Sequence, residues 1–410
     1  YWRTGDPEKI ARHAEVVGDR RAAAEAFARL GEQAHREHHL LDADQGWTGA
    51  LRNLDPRDPA RTNALLGRAR ARARQQRLGD ALVDLEDAIA NARALGDHRR
   101  ELVALLEKAT TLDLADDFSA SRDVAIAARE RFAELPDPSP ELALDVELAE
   151  ARIAFRARKF TDAAQGLTRV ADAAREQGRE DVLTTAQLLL APALVEAGQP
   201  TEARVVFADL IERCDQRGDR FHLGAAYGNR AWLWSALGEV DRTAEDLRLV
   251  IQLAREVGHA MLERAATYNL AEDRFWQGAV DEAIQLARRS LALQQAHGEG
   301  ATRFDRMLLA RIHAARLERR ELAELLAKLA TEEQSDDERL MIAALQAVAT
   351  DADAATWESV LASVDALEPA TRLELSYLAA RTGHLAGARR TEILGLVSTD
   401  PIWSRRVSEF

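Results

Sequence analysis

Tyr227-Gly-Asn-Arg-Ala-Trp-Leu-Trp-Ser-Ala-Leu-Gly238-Glu-Val and Tyr268-Asn-Leu-Ala-Glu-Asp-Arg-Phe-Trp-Gln-Gly278-Ala-Val-Asp-Glu-Ala283 decide the fold. Their glycines are 40 residues apart and extend a ladder from Gly198 through Gly238 to Gly278. A second ladder, Gly218, Gly258 and Gly298, has the same step and is offset by 20. The stretches between glycines are amphipathic and helix-forming. Glycine enters the left-handed conformation that ends a helix without a Cβ penalty. A helix-ending residue every 20 positions therefore predicts helical hairpins of constant length, and a fixed period in this range means a stacked array.

Working outward, the helices pair through small residues. Gly31, Ala109, Ala151, Ala191, Ala231 and Ala271 stand at one register of the first helix of each hairpin. The second helices carry Ala43/Trp47/Ala50, Ala163/Leu167/Val170 and Ala203/Phe207/Leu210 at matching positions, with departures at Thr243, Ala287 and Ser290. Small residues let two helices approach closely and larger ones fill the space between hairpins. This pattern resembles the tetratricopeptide repeat family, most nearly its long-repeat forms in kinesin light chain and in the C-terminal arrays of large bacterial signalling ATPases, kinases and transcription regulators. The resemblance covers about residues 20–330. It implies an all-α solenoid, a right-handed superhelix of antiparallel hairpins. It also implies a non-enzymatic scaffold that binds proteins or peptides.

The expected organisation is a leading helix over 1–17, three repeats over 18–135, five over 136–330, and degenerate helical repeats over 331–410. Asp6 and Pro7 start the leading helix and Gly18 ends it. Repeat two is expected to have its first helix over Ala60–Leu78, with Ala81/Leu85/Ala88 fitting only after a shortened turn. Pro136-Asp-Pro-Ser-Pro140 is a rigid linker, and Pro192 is expected to kink the helix that holds it. The chain opens on Tyr1 rather than Met, which reads as a piece of a longer polypeptide whose other domains would be partners.

Composition narrows the function. The net charge is −14; residues 1–110 carry 19 basic and 18 acidic side chains, residues 111–410 carry 36 and 51. An acidic array does not suit phosphate backbones, so no nucleic-acid partner is expected. No run is long and apolar enough for a membrane span, so no membrane partner is expected. The single cysteine, Cys214, excludes a disulfide framework and points to a reducing, cytoplasmic setting; the resemblance implies a bacterial one. No phosphate loop, dinucleotide fingerprint or zinc motif occurs, so no cofactor, metal or catalytic residue is expected. His35, His38 and His39 are too few for zinc and read as solvent-exposed.

Two groups are candidates for binding. The concave register of the central helices holds Asn229, Trp232, Tyr268, Asn269, Glu272, Phe275 and Trp276, in the densest aromatic cluster of the chain. An asparagine amide offers donor and acceptor to a peptide backbone, as the resemblance implies, and aromatics give rigid apolar contact. The same residues could instead fill inter-repeat hydrogen bonds and core. The arginine run of repeat two either pairs with nearby acids or offers Arg70 and Arg77 as an anion contact. The function expected is a protein- or peptide-binding scaffold or sensor region of a larger signalling protein. The alternative is a receptor for a small molecule or short signal peptide held in the groove.

Overall fold

The computed structural model describes residues 7–296, 302–330, 336–362, 369–385 and 387–399; Asp6 and Gly298 fall outside them. The described residues form 21 α-helices and no strand, and no helix is long and apolar enough to cross a membrane. The chain divides into two compact units, Tyr1–Asn229 and Arg230–Phe410.

The first unit opens with α1 (Pro7–Val17). Five hairpins follow, each closed by a turn of three residues: α2 (Arg20–Arg36) with α3 (Leu40–Asn53), α4 (Ala60–Arg74) with α5 (Leu78–Leu95), α6 (His98–Leu114) with α7 (Phe118–Ala133), α8 (Pro140–Arg156) with α9 (Phe160–Glu176), and α10 (Glu180–Glu196) with α11 (Pro200–Gln216). Turns this short force neighbouring helices antiparallel. Helix α12 (Arg220–Ala236) crosses the division between units. The second unit holds α13 (Val240–Glu256), α14 (Ala260–Trp276), α15 (Val280–Ala296), α16 (Arg303–Ala315) and α17 (Arg319–Leu329). It continues with the shorter α18 (Asp336–Ala349), α19 (Ala354–Leu361), α20 (Pro369–Thr382) and α21 (Gly387–Ser398).

The small-residue register is where the helices touch. Ala109, Ala151, Ala191, Ala231 and Ala271 are all under a tenth exposed. The partner positions Ala163/Leu167/Val170 and Ala203/Phe207/Leu210 are at most 1% exposed. Full burial of one such Leu or Phe contributes about 1.5–3 kcal/mol. Repeat two obeys the same rule, since Ala81, Leu85 and Ala88 are all fully buried. Its first helix is shorter than the sequence suggests, however. It ends at Arg74, and Leu78 already begins α5. The reason is a turn made without glycine: Gln76 takes the left-handed conformation at φ 62°. His38, Asp116, Arg158 and Leu317 do the same at the equivalent turns. Gly198, Gly238 and Gly278 are thus the visible rungs of a longer ladder.

Candidate functional site

The second unit holds six of the residues expected to bind. Phe275 is 0% exposed. It packs with Ala271, Ala283, Ala287 and Leu308, which makes it core rather than groove wall. Its register on α14 points between hairpins, where an aromatic ring fills the space left by small neighbours. Tyr268 and Trp276 are partly buried against the same cluster, and burial pushes the Tyr268 phenol up. Glu272 accepts a hydrogen bond from Arg311 Nη1 at 2.7 Å. Arg311 also donates to both oxygens of Glu374, at 2.8 and 2.6 Å. Its guanidinium stands 5.6 Å from the Phe275 ring centre. Asn269 is exposed, and Trp232 is 39% exposed. Four of the six are therefore tied into packing or an ion pair, and two face water.

Asn229 belongs to the first unit, where its role has a specific cause. Pro192 has no N–H, so the Leu188 carbonyl four residues earlier has no donor within its own helix. Asn229 Nδ2 donates to that carbonyl at 3.0 Å. Helix α10 runs as one element through Pro192, and the next hairpin supplies the missing bond. This is the inter-repeat hydrogen bond of the alternative reading.

Both candidate arginines are paired. Arg77 donates Nη1 to Asp44 and Nε to Asp80, each at 2.9 Å. Arg70 donates Nε to Glu107 at 2.7 Å, with 43% of its side chain exposed. Their neighbours Arg68 and Arg72 both reach Asp84. The bland reading of the run accounts for Arg77. Arg70 has a second relation: it lines a hollow.

That hollow, about 880 Å³, lies against α2, α3 and α4 in the first unit. Arg21, Arg29, Arg36 and Arg70 line it, with Glu25, Glu32 and Asp58 interspersed. One of its lining residues, Trp47, is placed by missing side chains. A Cβ on Gly31 would meet the Trp47 ring at 2.8 Å, and one on Gly67 would meet it at 2.3 Å. Two glycines thus make the slot that holds the indole. A helical glycine costs about 1 kcal/mol against alanine, so close approach is what it offers in return.

Two residues that line this hollow carry a buried ring nitrogen with no hydrogen-bond partner among the described residues: Trp47 Nε1 and His35 Nδ1. Burial, with Arg74 and Arg70 nearby, lowers the His35 pKa to about 4. Its ring is therefore neutral at pH 7. This corrects the expectation of three exposed histidines. Only His39 is exposed, while His38 turns toward Arg74, whose Nη1 lies 3.4 Å from its Nδ1. No metal-binding group of three His, Cys, Asp or Glu side chains occurs among the described residues. Cys214 is 1% exposed and burial pushes its thiol up to about 11, so it is no nucleophile at neutral pH. The sequence signal for the hollow was available: Gly31, Gly46, Gly49 and Gly67 interrupt good helices around one tryptophan.

No family model matches the chain, and no curated protein matches it. Solved structures do. A Rap protein complexed with competence and sporulation factor aligns at a TM-score of 0.57 and 12% identity, over 94% of this chain and 98% of that one. A signal-transduction ATPase with a tetratricopeptide-repeat sensor, from Pyrococcus horikoshii, aligns at 0.58 and 10% identity. That match covers 93% of this chain and 54% of the ATPase. The human IFIT1 dimer with m7Gppp-AAAA aligns at 0.50 and 13% identity, over 99% and 95%. At these identities the likeness is one of fold. The chain has the tetratricopeptide-like, all-α solenoid fold.

Proposed function

We propose that this chain is a non-enzymatic scaffold whose hollow between α2 and α4 takes an extended segment of a protein or peptide. We further propose that it serves as the sensor region of a larger bacterial signalling protein. One observation carries the reading: two residues that line one concave space, Trp47 and His35, each hold a buried ring nitrogen with no hydrogen-bond partner among the described residues. A peptide group supplies the matching pair, a carbonyl for the indole and a second polar atom for the imidazole. Leaving such groups unmatched costs about 1–3 kcal/mol each, which a bound backbone offsets. The likeness to the fold of a Rap protein complexed with competence and sporulation factor supports a binding role for such an array. Trp232 and Asn269 are proposed as exposed contacts within the second unit.

The test uses the full chain carrying a photo-crosslinking amino acid at Glu32, which lines the hollow, or at Arg320 on an exposed helix face. In native lysate the Glu32 position should give a defined polypeptide adduct that Trp47→Phe removes. Equal labelling from both positions, or an adduct indifferent to Trp47→Phe, rules the reading out. The second reading, a small-molecule receptor, rests on volume, since ligand pockets run to about 300–1,000 Å³. A co-purifying small mass that Trp47→Phe releases would select it.

A further inference from the structure

Most of the well-buried arginines among the described residues are held by carboxylates; Arg74, which meets only His38, and Arg152 are not. Arg311, its side chain 11% exposed, is held by Glu272 and Glu374. Arg68, Arg72, Arg230 and Arg264 each pair with a carboxylate. Arg152 is the most buried arginine among the described residues, 7% exposed, and it forms no ion pair. Its one hydrogen bond runs from Nη1 to the Thr110 hydroxyl, 2.7 Å away. That hydroxyl donates in turn to the Leu106 carbonyl. The nearest acid in reach, Asp113, is already taken by Nε and Nη2 of Arg156, both at 2.8 Å. Burial lowers the Arg152 pKa, opposed in part by Asp113 and Glu107 and aided by Arg156. A buried charge without a partner is costly, and chains rarely retain one.

Arg152 opens onto a pocket of about 220 Å³ between α6, α7 and α8. At about 30 Å³ per water, that is room for roughly seven. Arg156 and Arg122 also line it, with Ser119 and Ser121 from the first turn of α7. Arg156 is fixed over the Phe118 ring, 4.3 Å from its centre. Arg122 is partly engaged by Asp123. Ser121 Oγ donates to the Ala109 carbonyl. The N terminus of α7 is already capped by Asp117, so it adds only its dipole. The lining thus carries three guanidiniums against one carboxylate.

We propose that this pocket binds a small tetrahedral oxyanion of the phosphate class, with Arg152 as its charge partner and Ser119 and Arg122 at its mouth. Guanidinium and phosphate match in charge and in hydrogen-bond geometry. The pocket is separate from the hollow beside Trp47.

Calorimetric titration and thermal melting of the full chain, at constant ionic strength, test this with inorganic phosphate, sulfate, acetate and chloride. Phosphate should bind saturably at one site and raise the Tm, with acetate at least tenfold weaker. Arg152→Met should abolish saturable binding. Ser119→Glu places a carboxylate where a helix start favours one, so the variant should fold while weakening phosphate at least tenfold. A phosphoserine peptide that competes better than inorganic phosphate marks a phosphoryl group on a larger ligand; equal competition marks a free ion. No saturable binding, acetate as effective as phosphate, or unchanged binding in Arg152→Met and Ser119→Glu would overturn the assignment.

Discussion

The hollow beside Trp47 and the wall around Phe275 are built from the same kind of hairpin, yet the first is a concavity and the second is packed core. Around Phe275 the space between helices is occupied by the ring itself, by Tyr268 and Trp276 at its edge, and by Arg311 with its two carboxylates. Around Trp47 the neighbouring positions are Gly31, Gly46, Gly49 and Gly67. Volume withheld there is taken up by the Trp47 and Phe27 rings, so the indole lies in a slot at the edge of the hollow. Missing side chains in such an array seat a large ring as firmly as conspicuous ones fill a core.

The strongest way to break this contrast is to empty the packed core. Phe275→Ala should cost about 3–5 kcal/mol by leaving a cavity, seen as a lower denaturation midpoint for the second unit. A cost under 1 kcal/mol would place Phe275 at a surface. The hollow should show itself through pH. The His35 pKa is about 4 when folded and about 6.5 when unfolded. The unfolded state therefore binds the proton more tightly. His35 costs nothing above pH 6.5, destabilises progressively down to pH 4, and adds no more below that. The stability difference between the protein and His35→Gln should change by roughly 2–3 kcal/mol across this window. A difference flat with pH would mean an exposed ring.

The two asparagines sharpen the contrast at smaller scale. Asn229→Ala orphans the Leu188 carbonyl and should cost about 1–2 kcal/mol. In a Pro192→Ala background the restored N–H can take over that carbonyl, so the cost should fall by roughly 1 kcal/mol. An unaltered cost in the double-mutant cycle would detach Asn229 from the proline. Asn269→Ala, at an exposed position, should stay within about 0.5 kcal/mol in melting experiments.

The helical architecture was legible because glycine spacing and small-residue register are local signals with one physical cause each. The turns at His38, Gln76, Asp116, Arg158 and Leu317 were not legible, because left-handed backbone at a non-glycine residue has no letter of its own. That is why the sequence pattern carries the first helix of repeat two past Arg74, to Leu78. The aromatic cluster misled for a related reason. A ring every three or four residues marks a helix face, but only the neighbouring hairpin decides whether that face meets water or core. Asn229 shares its register with Asn269, 40 residues on, although its informative partner is Pro192. Reading a helical proline as a carbonyl in search of a donor would have found it. Arg152 gave no signal, since its distinction is a carboxylate already engaged by Arg156.

The left-handed glycines of the regular turns differ from those around Trp47 in one respect. A Cβ at Gly198, Gly218, Gly238 or Gly258 would meet nothing within 4 Å, although each has φ between 65° and 75°. These joints demand a backbone angle and no neighbour. A joint with no neighbour can be copied along with the hairpin it closes, and both ends of the copied 40-residue block arrive in phase. The joint itself asks for no second, compensating mutation when such a gene segment is duplicated or lost. Array length can then be inherited as a trait in its own right, while residues such as Gly67, wedged against an indole, are held to a single address.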